Sequence, residues 1–192
     1  MKTRKIIWAI GSLLLCALLT LGGQYILNDC VWWECVPERD FHVLDWELPA
    51  NLFPSDANLT PISPSSEGAG EKERGSQNIY WDKGNGLAIY KISRYSTRRA
   101  AVQAYEFKME QLIDDVSQLP WTRPSEIAFS SVTADDMVIG CGYWSVWRCG
   151  MVARYQEYVI FFNTVIDEKM TYAEFEKVAF YLDEQISIRL YP

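Results

Sequence analysis

Residues 158–166 read Tyr-Val-Ile-Phe-Phe-Asn-Thr-Val-Ile, apolar at nearly every position instead of every second one. A strand with one wet face alternates, whereas an unbroken apolar run belongs in the middle of a sheet. The chain therefore needs a sheet built around this segment, and the runs before it supply the neighbours. Ile127 to Thr133, Met137 to Tyr143 and Arg148 to Tyr155 read as strands, and the short connections between them favour an antiparallel meander. Further upstream, Ile79 to Asp82 and Leu87 to Ser93 face each other across Lys83-Gly84-Asn85-Gly86, whose glycines and asparagine accept the positive φ of a hairpin.

Two helices are expected. After Ser96 as cap, Ala101, Tyr105, Met109, Leu112 and Val116 recur at steps of three and four until Pro120 stops them. Thr171-Tyr172-Ala173-Glu174 forms a capping box, followed by an apolar stripe of Phe175, Val178, Leu182 and Ile186. The order is ββαββββα: an α+β domain with one antiparallel sheet of about six strands packed with two helices. In that order of elements, over residues 78–190, the chain resembles the Mog1/PsbP-like fold. The resemblance implies an architecture and assigns no residue a role.

From Ile6 to Leu27 the chain is uncharged and mostly apolar, long enough at about 1.5 Å per residue to cross a hydrocarbon core of about 30 Å. Lys2, Arg4 and Lys5 precede it and Asp29 and Glu34 follow, so the positive-inside rule predicts a transmembrane helix with its N-terminus in the cytoplasm and its body outside. Trp8 at one end and Tyr25, Trp32 and Trp33 at the other suit the headgroup belts. The predicted organisation is a tail over 1–5, an anchor over 6–27, a membrane-proximal segment and tether over 28–77, and an extracytoplasmic domain over 78–192. The competing reading is a signal peptide cleaved near Thr20-Leu21-Gly22, leaving a secreted or periplasmic domain. The tether contains Pro49, Pro54, Pro61 and Pro64 and the run SPSSEGAGEKERGSQ, too polar to offset its ordering entropy, with a glycosylation sequon at Asn58-Leu59-Thr60.

Four cysteines lie beyond the first helix. Cys30 and Cys35 bracket Val-Trp-Trp-Glu, a spacing that allows a local disulfide or two free thiols. Cys141 and Cys149 flank a hairpin about Ser145. Partners whose numbers sum to 290 then face each other, Ile139 with Met151, Cys141 with Cys149 and Tyr143 with Trp147, which brings the cysteines within disulfide reach. Trp144, Val146 and Trp147 would stand at its tip, either as an exposed contact for a protein partner or as ordinary cross-strand packing. CxxxxC and CxxxxxxxC depart from zinc spacings, and no metal is expected.

The sequence offers little for catalysis. The single histidine, His42, lies outside the predicted domain, and there is no GxSxG, phosphate loop or HExxH. Asp135-Asp136 reads as a solvated turn, Arg98-Arg99 as a solvated helix start, and no cofactor is expected. A net charge of −7, with the first 27 residues basic, argues against nucleic acid. Two functions remain: a non-enzymatic interaction or accessory-subunit domain with a protein partner, or a small-ligand sensor or carrier recognisable by a cavity with convergent polar groups.

Overall fold

The structure, a computed structural model, describes residues 2–28, 30–31, 33–65, 68, 70–114 and 121–191, with side chains over 10–23 in the first helix and up to 112 in the second. Its elements are α1 (Lys2–Asn28), β1 (Asn58–Leu59), β2 (Ser63–Pro64), β3 (Glu71–Trp81), β4 (Gly86–Tyr95), α2 (Arg98–Asp114), β5 (Asp136–Trp144), β6 (Val146–Tyr155), β7 (Tyr158–Val165) and α3 (Tyr172–Leu190). All strand pairings are antiparallel, in the order β1-β3-β4-β7-β6-β5, with β2 also paired to β3. The apolar run at 158–166 lies between β4 and β6, inside the sheet as its composition requires.

Both faces of β7 are covered. Tyr158, Ile160 and Phe162 join Tyr90, Met151 and Tyr155 beneath α3, whose Phe175, Val178, Leu182 and Ile186 form the predicted stripe; Phe162 and Phe175 stack at 5.8 Å. Val159 and Phe161 face the opposite way, against Ala101 and Leu112 of α2. Period-two alternation along the strands thus sorts side chains between two helical layers. The Thr171 hydroxyl accepts the Glu174 N–H, but the Glu174 carboxylate turns to Lys177, so only half of the capping box forms. In α2 the cap is Thr97, which accepts the Ala100 N–H, one residue later than expected; Val116 and Pro120 lie outside the described residues.

The expected transmembrane helix over 6–27 is not supported. Among the described residues no helix is long and apolar enough to cross a membrane. Among the described side chains of α1, residues 10–23, Gly11, Ser12, Thr20, Gly22 and Gly23 interrupt the apolar surface that a lipid-facing helix needs. The orientation and anchoring drawn from that segment lose their basis. Trp8, Tyr25 and Trp32 lie outside the described side chains.

The stretch expected to be a free tether is docked. Trp46, Leu48 and Phe53 are buried in the core under α3. Asn58 and Leu59 pair with Tyr80 and Ile79, and Ser63 and Pro64 with Ser76 and Gly75. β3 begins at Glu71, well inside the presumed linker. Its polar residues are satisfied by specific partners and not by apolar burial: Glu73 meets Arg94 at 2.8 Å and the Val43 N–H at 3.0 Å, and Gln77, fully buried, accepts the Leu48 N–H at 2.9 Å. A pattern of this kind has no hydrophobic period to read. Glu157, also fully buried, is held by Arg39 at 2.9 and 3.1 Å, and this pair fixes the segment before Trp46 to the turn between β6 and β7.

The expected strand at Ile127 to Thr133 does not form. Side chains take its backbone groups in place of a ladder: Arg123 donates to the carbonyls of Ile127 and Phe129, Glu176 of α3 accepts the Phe129 N–H at 2.6 Å, and Ser131 caps Thr133 and Ala134. Asp183 of α3 accepts from Ser131, from Thr133 at 3.1 Å and from Tyr155 at 2.7 Å. A segment so provided with partners gains nothing from joining the sheet.

Candidate functional site

The β5–β6 hairpin adopts the anticipated register, from Asp136 opposite Arg154 to Trp144 opposite Val146. Cys141 and Cys149 are bonded, with Cα atoms 4.0 Å apart, and both are buried beneath α3. The Cys141 N–H and C=O are both used by Thr122, at 2.8 and 3.0 Å, so Cys141 and Cys149 form a non-hydrogen-bonded pair, the arrangement that brings cross-strand side chains closest. Cys30 and Cys35 are also bonded, and Cys35 bridges Thr97 at the start of α2. Two disulfides fit an oxidising location, extracytoplasmic or secreted.

The same alternation divides the aromatic tip. Tyr143 and Trp147 continue the face of Cys141 and Cys149 toward α3, where the Trp147 indole donates to the Tyr172 hydroxyl at 2.8 Å. Trp144 and Val146 stand on the opposite, α2 face. All four are exposed, Tyr143 the most at 62 % and Trp147 the least at 41 %, but they do not make one patch.

Behind Trp144 lies a cavity of about 290 Å³ between α2 and the sheet. Ile89, Leu112, Trp121, Trp144 and Phe161 form its apolar walls, and Arg148 and Asn163 reach it from the central strands. Two glycines let its walls pack down on the sheet. A Cβ on Gly142 would lie 2.3 Å from the Trp121 ring, and one on Gly150 would lie 2.4 Å from Leu112, so only glycine lets these walls sit against the sheet.

Arg148 is the unusual member. It is 7 % exposed, yet among the described residues no carboxylate pairs with it and its Nε has no hydrogen-bond partner. Its guanidinium lies 5.7 Å from the centre of the Trp144 ring, a cation–π contact. Burial pushes its pKa below the usual guanidinium value. The Trp121 indole nitrogen and the Asn163 carbonyl oxygen, on the same cavity, are likewise buried without partners. A buried cation without a counter-charge costs several kcal/mol, so an anion with an apolar body would offset the Arg148 guanidinium, while the Asn163 carbonyl, an acceptor, would need a donor such as a hydroxyl on the same ligand.

The other residues considered from sequence lie elsewhere. Asp135 and Asp136 both hold Arg154, at 3.0 and 2.6 Å. His42 is on the surface, 3.3 Å from Glu73, and Arg98 and Arg99 are exposed. Sequence reading missed Arg148, Asn163 and Trp121 as a group because β5, β6, β7 and the segment after α2 bring them together only in the fold. The signal that was available was glycine inside strand patterns, at 140, 142 and 150, which marks close approach of another group.

Comparison of the chain with known proteins finds no matching family model, no matching curated protein and no matching solved structure.

Proposed function

We propose that this domain is a non-catalytic binding module for a small organic anion, a sensor or carrier working in an oxidising compartment. The observation that carries the reading is Arg148, a buried cation without a counter-ion at the wall of an aromatic cavity. The guanidinium supplies a planar fork for a carboxylate, and Trp121 and Trp144 supply flat apolar walls for the rest of the ligand. Among the described lining residues there is no carboxylate, histidine, serine or cysteine, and Lys91 is the only amine, so the cavity suits holding more than transforming. Titration calorimetry of the full chain with an aromatic carboxylate such as benzoate is expected to give saturable binding that Arg148→Met removes. Heats indistinguishable from dilution across aromatic and aliphatic carboxylates would overturn the reading.

A second reading, a protein contact through the hairpin tip, is favoured by the exposure of Tyr143 and Trp147 on the α3 side, away from the cavity. Replacing both with serine would remove a co-purifying partner while leaving calorimetric anion binding intact. Unchanged recovery of the partner would count against the tip.

A further inference from the structure

We infer that the ligand is a dianion, elongated, with its second anionic group held between Lys91 and Lys108; this rests on the small-anion reading of the cavity. At Lys91 and Gln111 the cavity continues into a groove of about 510 Å³ between α2 and strands β3 and β4, since both residues line both spaces. Lys108, Gln111 and Leu112 recur at steps of three and four on α2, so one helical stripe roofs the whole path from groove to cavity.

The path is cationic in a protein whose net charge is −7. Arg148 stands at one end and Lys91 and Lys108 toward the other, and among the described residues neither lysine has a carboxylate partner. Glu71, the groove's one acid among those residues, is already engaged: it accepts from the Gly68 N–H and the Tyr95 hydroxyl and lies 3.6 Å from Arg74. Burial, then the nearby Arg74 and Lys91, holds the Lys108 ammonium below its ordinary pKa against the pull of Glu71, as expected where positive charges gather with too few negative ones.

Sheet register sets the length of the ligand. Arg148 on β6 pairs with Val165 on β7, whereas Lys91 on β4 pairs with Phe161, four residues along the same strand. With a rise of about 3.4 Å per residue and strands about 4.8 Å apart, the two Cα atoms are about 17 Å from each other. The side chains shorten the gap between their charged ends, and a chain with an acid at each end can meet Arg148 with one and the lysines with the other.

Linear α,ω-dicarboxylates of increasing length, each compared by calorimetry with the monocarboxylate of the same chain, measure this directly. The expected result is an optimum at an intermediate length, where the dicarboxylate binds about tenfold tighter than its monocarboxylate partner. Lys91→Gln and Lys108→Gln, with unchanged circular dichroism, should each pull that ratio toward one, and Arg148→Met should remove both ligands. A ratio near one at every length, or one the lysine variants leave unchanged, overturns the dianion while leaving the small-anion site standing. Absence of binding by either series overturns both.

Discussion

At the scale of single residues, Arg148 sets binding against stability. Its buried, unpaired charge is a cost to the free protein that an apolar side chain of similar length avoids. Arg148→Met should therefore raise the stability of the free chain by about 1 kcal/mol in urea denaturation while abolishing carboxylate binding. A residue needed only for packing would lose stability on the same change. Glu71 gives the opposite kind of dependence. Burial alone would raise its pKa, but the Gly68 N–H, the Tyr95 and Ser93 hydroxyls and Arg74 outweigh burial and hold it below the ordinary carboxylate value. A group whose folded pKa is depressed stabilises above its unfolded value, about 4.3, and that stabilisation is lost as pH falls through the folded value. Glu71→Gln should be less stable than the parent at neutral pH, and the gap should close in acid; a gap constant across pH would show that the carboxylate's charge is not what matters.

At the scale of elements, β5 and β6 show how far a local pattern reaches. Their register and the Cys141–Cys149 bond followed from one assumption, a fold about Ser145, because a hairpin's pairing is a property of adjacent sequence. The segment at 127–133 had the same apolar look but did not form a strand, since Arg123, Glu176 and Asp183 offered its backbone and hydroxyls other partners. Competition of that kind is decided by residues distant in sequence and leaves no local trace. Glycine in β5 is the element-level determinant of the site. Gly142→Val should drive Trp121 off the sheet, lower stability by about 2 kcal/mol and weaken carboxylate binding, read by urea denaturation and calorimetry on one sample. Unchanged affinity would mean that Trp121 is not a wall the ligand touches.

At the scale of the whole molecule, the folded unit begins much earlier than composition suggested. Trp46, Leu48 and Phe53 belong to the main core, and the Arg39–Glu157 pair and the Cys35–Thr97 bridge attach the chain before them. A chain beginning at residue 78 should lack fixed tertiary structure, whereas one beginning at residue 30 should keep it, as near-ultraviolet circular dichroism would distinguish. Sheet order around β7 and the two helical stripes were readable because each depends on periodicity within one element. The cavity was not readable, because its walls come from β4, α2, the segment at Trp121 and three more strands. The short strands β1 and β2 lie along the outside of β3 from Gly75 to Tyr80, and Thr122 does the same for β5 at Cys141. Their backbone groups occupy positions where a strand from another copy would otherwise dock, so growth of the sheet from molecule to molecule is blocked at those positions. For a chain with so many aromatic and β-branched residues, those few residues act as guards against fibrous self-association, a role unrelated to the ligand.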